Sequence, residues 1–465
     1  MKEAIENKLG YWFVDGKKYS GMLSFSQEDG IYVTIISTEM SLGFNTLKKI
    51  PIVTGVIENG QPITLVRCQI YHSNMVMKNL SDELTTYAEK AIIRAEYMLE
   101  GMLFDAIDDI KFRSLLGKYS DLDEWVDSSG FDFERAENED DDYDYVIKYK
   151  SPEPINYDIN SEYSVGIGFS IQGPKQSMVQ KEAQIRQSCN FRITSQKNPL
   201  KFTELMTHLR WFSLLLQIGS QRNTYPIEIT GIIDKNDNVD LKQSIRVNIY
   251  FQPIEAIREV KPLIPPFFLF TYKDLNESII KNWFNKYTNL KTIVNLRSTL
   301  FLHDRQFLEN KFLDILQALE TLHTMKFKGS CIEKSSFDDF RKKIVFCMPE
   351  EFKEIFAPKI GNLNYLSLQD RLNELLRNRK DLFSKAITNF DKLCKRIIRT
   401  RNLIVHASSS EKPLSTREMI YVIDLLKLLF DSYLLEMIGF SEEKINIMIQ
   451  KKIDEYLHWG IVFNR

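Results

Sequence analysis

The sequence predicts an α+β chain, with a β-rich N-terminal half over residues 1–261 and an all-α helical bundle over residues 267–465. Three observations carry that reading. A chain of 465 residues is longer than one hydrophobic core organises, so more than one domain is expected. As far as Phe251 the apolar residues come in short alternating runs, the period of strands. Beyond Pro262-Leu263-Ile264-Pro265-Pro266 they recur every three to four residues, the period of helices, and the prolines punctuate the change.

In chain order, Gly21–Phe25, Gly30–Ile36 and Ile63–Gln69 read as strands, bounded by turn residues such as Glu28-Asp29-Gly30 and Asn59-Gly60. Asn59-Gly60 suits a tight hairpin because glycine accepts positive φ without penalty. Ala88–Phe104 fits a helix or a long strand equally well by pattern. The acidic run Glu137–Tyr145 reads as a solvated loop. Ser164–Ile171, Asn190–Thr194, Ile227–Ile233 and Ser244–Phe251 continue the strands, with Gly166-Ile167-Gly168 as strand geometry and not a dinucleotide turn. Phe202–Ile218 is apolar on most faces and predicts a buried helix. Trp125 and the run Tyr119–Trp125 read as packing residues. The second half predicts helices at Leu275–Lys286, Arg305–His323, Phe337–Phe346, Leu366–Arg377, Asp381–His406, Ser415–Ile438 and Ser441–Tyr456.

The net charge of −2 excludes a generally basic nucleic-acid binder, so any RNA contact rests on a local cationic cluster. The five cysteines lie far apart with no CxxC pair, the pattern of reduced thiols and not of a zinc site or a disulfide framework. No metal or cofactor is expected. The polar start MKEAIENKLGYW lacks a signal-type apolar stretch, and the apolar run Pro262–Phe270 is too short for a bilayer. A cytoplasmic protein with no membrane association is expected.

The most informative segment is Phe390–His406, FDKLCKRIIRTRNLIVH. At about 100° per residue, Phe390, Leu393, Cys394, Ile397, Ile398, Ile404 and Val405 share one apolar arc, and Arg401 falls inside it. An unpaired buried guanidinium is costly, so either the arc opens to a cleft or a carboxylate lies opposite. Asn402 and His406 project from one flank, beside Lys395 and Arg399. The upstream helix FLENKFLDILQALETLH, Phe307–His323, puts Glu320 at the edge of its apolar face and His323 close by. If the two helices pack, Glu320 is placed to hold Arg401 through a bidentate pair. Such a set can cleave RNA. A histidine titrating near neutrality takes the 2′-hydroxyl proton, and a fixed guanidinium stabilises charge on the phosphorane, with no metal required. The products would be a 2′,3′-cyclic phosphate and a 5′-hydroxyl, and DNA would resist.

At these residues the chain resembles the HEPN superfamily, whose signature is Arg, a polar residue, then His after four to six intervening positions; here it is Arg401-Asn402-Leu403-Ile404-Val405-His406. The segment Leu308–His323 resembles the leading helix of the ApeA-like HEPN group. The N-terminal half resembles the ApeA N-terminal domain through Gly10-Tyr11-Trp12 with Tyr19-Ser20-Gly21-Met22-Leu23. Further counterparts are Thr54-Gly55 through Thr64-Leu65-Val66, and Tyr119-Ser120-Asp121-Leu122-Asp123-Glu124-Trp125. The resemblance implies an anti-phage defence effector acting by abortive infection. Its HEPN endoribonuclease would act on structured RNA, tRNA foremost, and silence translation in infected cells. It also implies a homodimer through the HEPN domain that brings two motifs together, with room for a higher oligomer. A phage-derived trigger would be sensed by the N-terminal half. Arg401, Asn402 and His406 carry over as the catalytic motif, with Glu320 as the acid on the leading helix. Arg399, Arg396, Lys395 and His323 are weaker RNA-binding additions. Two other readings compete: a non-catalytic HEPN-like scaffold or sensing protein, and the toxin of a two-gene pair.

Overall fold

The computed structural model describes residues 5–37, 48–81, 84–137, 143–177, 182–234, 244–252, 267–301, 306–327, 329–407 and 412–458. The prolines at 262–266, residues 138–142 of the acidic run, Arg305 and Ser408–Ser410 lie outside them. The chain forms two compact units, Met1–Phe284 and Asn285–Arg465. Residues 267–284, read from the sequence as the start of the helical half, therefore pack with the first unit.

In the first unit, β1 (Ile5–Val14), β2 (Lys17–Ser26), β3 (Gly30–Ser37), β4 (Lys49–Ile57), β5 (Pro62–Ser81) and β6 (Leu84–Glu100) close a barrel. Closure comes from β6, which pairs with β3 on one side and β5 on the other. The ambiguous run Ala88–Phe104 is thus strand as far as Glu100, where two flanking strands satisfy its backbone. Alternate residues such as Trp12, Val14, Leu23, Val33 and Leu65 fill the interior. Gly55 makes room for the Trp12 indole, since a Cβ there would stand 2.4 Å from Trp12 Cε3. The hairpin at Asn59-Gly60 is present, with Gly60 at φ +82° and its N–H donating to Ile57 O.

The remaining strands are β7 (Lys111–Phe112), β8 (Ser114–Tyr119), β9 (Phe131–Glu137), β10 (Tyr143–Tyr149), β11 (Ile155–Asp158), β12 (Tyr163–Ser177), β13 (Glu182–Ser195), β14 (Leu200–Lys201), β15 (Pro226–Asp234) and β16 (Ser244–Phe251). β16 pairs with the end of β6 and carries the sheet onward in the order β16-β15-β8-β13-β12-β11. Gly166 and Gly168 lie in β12, as strand geometry requires. β9 and β10 form a separate ribbon, so the ends of the acidic run, Glu137 and Tyr143–Tyr145, are paired strand and not loop. Helices α1 (Leu122–Val126) and the buried α2 (Phe202–Ser220) pack within this unit. Trp125 is a core residue whose indole donates to Phe270 O at 2.8 Å. α3 (Glu277–Asn285) is held by Trp283, which stacks on Trp211 at 4.4 Å while each indole donates to the other's carbonyl.

The second unit contains α4 (Tyr287–Thr299), α5 (Leu308–Phe327), α6 (Lys334–Cys347), α7 (Glu350–Ile360), α8 (Leu368–Arg377), α9 (Lys380–Phe383), α10 (Phe390–His406), α11 (Thr416–Ile438) and α12 (Glu442–His458). α11 is the central helix, buried on most of its surface and packed against α5 and α12. It starts in a capping box between Ser415 and Glu418 and ends at Gly439, φ +106°. At its centre Asp431 takes two hydrogen bonds from Arg297 of α4, at 3.0 and 2.8 Å, and both side chains are fully buried. The single helix expected over Asp381–His406 is two, because Asn389 caps a new start by accepting the Lys392 N–H at 2.9 Å. α4 and α7 were not expected from the sequence. α7 carries Pro358 inside it, and α4 has no strong apolar stripe.

Candidate functional site

α10 packs against α8 and α5 through Leu393, Cys394, Ile397 and Thr400, all buried at helical spacing. Burial stops there. Arg401 and Asn402 are half-buried, and Leu403, Val405 and His406 are exposed. The expected apolar arc therefore opens at its C-terminal end, and Arg401 is not an enclosed guanidinium. The helix terminates at Ala407, which adopts φ +49° and donates to Leu403 O.

At this open end Arg401 Nη1 lies 3.2 Å from His406 Nε2 and 3.3 Å from Asn402 Oδ1. A guanidinium has only donors, so the imidazole nitrogen accepts. All three motif residues are thus in one cluster at the end of one helix. Lys395 and Arg399 add exposed cationic side chains to the same helix.

The cluster is held from the side facing α11. Thr400 Oγ1 accepts the Leu414 N–H at 2.8 Å and donates to Arg396 O at 2.8 Å. Arg396 donates to Pro413 O at 3.1 Å and to both oxygens of Glu418, at 2.6 and 2.7 Å. The Arg396 guanidinium, aided by the Ser415 backbone and side chain, pulls the Glu418 carboxyl down to about 2, against some desolvation. These bonds tie the chain returning at Leu414 to the turn of α10 next to Arg401. Glu418 and Thr400 were missed in the sequence, although Ser415-Thr416-Arg417-Glu418 has the capping-box spacing.

Three expected site residues are placed elsewhere. Glu320 does not meet Arg401; its Oε1 lies 3.9 Å from Arg371 Nε. Arg371 is buried and gathers the end of α5, donating to Leu366 O, Glu320 O and the Thr324 hydroxyl. His323 is fully buried with Nε2 2.9 Å from Glu374 Oε2, which removes it from any RNA-facing surface. Arg396 is occupied by Glu418 and Pro413 and acts as a structural staple. The error has one source: helical angles fix the face of a side chain but not its height along a neighbouring helix, and α8 supplies the nearer arginine.

Residues 7–283 match ApeA N-terminal domain 1, which is more than half of the chain. The chain belongs to the ApeA family. Residues 313–444 match the Apea-like HEPN domain, a range that includes Arg401–His406 and the whole of α10. The N-terminal match ends one residue before the boundary of the first compact unit, so α3 as far as Trp283 lies within both. The ApeA-like HEPN domain places the chain in a defence-related nuclease family, whose HEPN domains commonly dimerise and act on RNA. No curated protein and no solved structure matches the chain. Among the described residues of this ApeA-family chain, no helix is long and apolar enough to cross a membrane, and no three His, Cys, Asp or Glu side chains assemble into a metal-binding set.

Proposed function

We propose that this ApeA-family protein is a metal-independent HEPN endoribonuclease whose active residues are Arg401, Asn402 and His406. The observation that carries the reading is the 3.2 Å contact between Arg401 Nη1 and His406 Nε2 at an exposed helix end. A phosphate is a stronger acceptor for a guanidinium than an imidazole nitrogen. When an RNA phosphate draws Arg401 to itself, Nε2 is left with a free lone pair. That nitrogen takes the proton of the neighbouring 2′-hydroxyl. The 2′-oxygen attacks phosphorus, the bond from phosphorus to the 5′-oxygen breaks, the leaving oxygen takes a proton from water, and the hydroxide so formed takes up the proton held on Nε2. Arg401 stabilises the charge that grows on the phosphorane oxygens, and Asn402 Oδ1 keeps the guanidinium oriented. The products are a 2′,3′-cyclic phosphate and a 5′-hydroxyl end.

The family resemblance supplies the wider role: a homodimer joining two such motifs, structured RNA with tRNA foremost as substrate, and arrest of translation in infected cells as the outcome. In this reading the β-rich N-terminal domain senses a phage-derived trigger and restrains the nuclease, and the protein works in the cytoplasm. The test is incubation of wild-type and His406→Ala protein with total tRNA in EDTA, without and with phage-infected lysate, followed by mapping of new ends. Cleavage by the wild type alone, leaving 5′-hydroxyl ends, is the expected result. Equal cleavage by both proteins, or none by the wild type under either condition, would reject the assignment in favour of a non-catalytic scaffold.

A further inference from the structure

α6 and α7 are unlike the other long helices of their unit. Each buries a single residue, Phe337 in α6 and Ile360 in α7. Yet they leave Phe340, Phe346, Phe352, Ile355 and Phe356 exposed, Phe346 to 85%. Solvated helices do not carry so dense an apolar surface without something to cover it. Between the two helices lies a cleft of about 580 Å³ lined by Val345, Phe346 and Ala357, with Arg341, Lys342 and Lys353 among its walls.

The charges identify the cover. α6 carries the consecutive cations Arg341, Lys342 and Lys343 shortly before the turn at Met348-Pro349, and α7 carries Glu350, Glu351 and Glu354 shortly after it. Among the described residues Lys343, Glu351 and Glu354 make no ion pair within the chain, and Lys342 has only a 3.6 Å contact to Asp339 on its own helix. With Lys334, Asp338 and Asp339 counted on α6 and Lys353 and Lys359 on α7, α6 is net positive and α7 net negative, and Lys353 is paired with Glu350, so the excess of each sign lies near the turn beside the exposed phenylalanines. A surface of this kind complements itself under a two-fold rotation, which lays α6 of each copy on α7 of the other and buries both sets of phenylalanines.

We propose that the α6–α7 hairpin docks onto the same hairpin of a second copy of this chain. Neither helix carries a residue of the Arg401–His406 cluster, so this face is additional to an association through α10 and stands independently of the nuclease assignment. It would join HEPN dimers into a larger assembly.

The test is molar mass by size-exclusion chromatography with light scattering, on the full chain at micromolar concentration. Three variants are compared with the wild type: Phe346→Asp, the pair Lys342→Glu/Lys343→Glu, and the pair Glu351→Lys/Glu354→Lys. The substituted side chains are all exposed, and circular dichroism checks that each variant keeps its fold. Each variant is expected to show half the mass of the wild type. Mixing the two charge-reversed proteins is expected to restore the full mass, because a mainly acidic hairpin then meets a mainly basic one. A wild-type mass that none of the variants changes would overturn the proposal, as it would if the face served a different protein. Loss of mass in the charge variants without recovery on mixing would overturn the α6-on-α7 pairing. Cleavage of tRNA by the half-mass variants would leave the nuclease reading intact whatever the outcome here.

Discussion

Thr400→Val tests how the fold holds the end of α10. Thr400 is buried, and its hydroxyl is the acceptor for the Leu414 N–H at 2.8 Å. Valine has nearly the same shape, so the substitution opens no cavity and removes only the polar atom. The Leu414 N–H is then left in a buried site without its partner, which costs roughly 1–3 kcal/mol. Thr400→Ser keeps the hydroxyl and gives up a methyl group, worth about 1 kcal/mol. Urea denaturation should therefore rank wild type above Ser, and Ser above Val. Because Arg401 follows Thr400 directly, release of the chain at Leu414 should also loosen the motif. Cleavage by the Val variant should fall on the order of tenfold or more, the usual consequence of a small misplacement in an active site, while the Ser variant stays near wild type. A Ser variant less stable than the Val variant would refute the hydrogen-bond argument. Full cleavage by a destabilised Val variant would show that the motif does not depend on this anchor.

Other outcomes follow from the same contacts. Asp431→Asn leaves the buried Arg297 guanidinium without its counter-charge, and chemical denaturation should show a loss of about 3–5 kcal/mol. The apolar double variant Arg297→Met/Asp431→Leu should recover most of that loss. Glu418 titrates in the folded protein near 2, against an ordinary 4.5, so its contribution is complete above about 4.5 and disappears as pH falls towards 2. The Glu418 side chain is 41% exposed, which reduces that contribution to about 1 kcal/mol. Comparing urea midpoints of wild type and Glu418→Gln from pH 7 to pH 3, the gap should narrow as the solution becomes acid. Arg401→Lys keeps the positive charge but loses the fork that reaches Asn402 and His406, and should lose most cleavage with no loss of thermal stability.

The parts legible in the sequence are those where one local rule decides. The period of α10 was readable because Leu393, Cys394 and Ile397 mark a continuous apolar stripe that the fold buries, and the hairpin at Asn59-Gly60 because glycine meets a backbone requirement there. The barrel was not readable. Its closure depends on β6 pairing with both β3 and β5, and no local pattern in Ala88–Glu100 says that two strands lie beside it. Arg297 and Asp431 were invisible for a related reason. Each looks like a surface charge on its own helix, and only the crossing of α4 and α11 makes them a buried pair.

The motif shows both sides of this division. Arg401, Asn402 and His406 share one helix, so their spacing alone brings them within reach, and the structure has them in contact. Glu320 sits on another helix, and its partner is chosen by the relative height of α5, α8 and α10. The same geometry bears on chemistry. Had Glu320 gripped Arg401, the guanidinium would be committed to a carboxylate, and a phosphate would have to displace a bidentate ion pair to reach it. Bound instead to an imidazole nitrogen and an amide oxygen, Arg401 holds weaker partners that a phosphate can replace. Giving up the imidazole also uncovers the nitrogen that must accept the proton. Arrival of the phosphate and exposure of the base are then one event in the proposed cleavage.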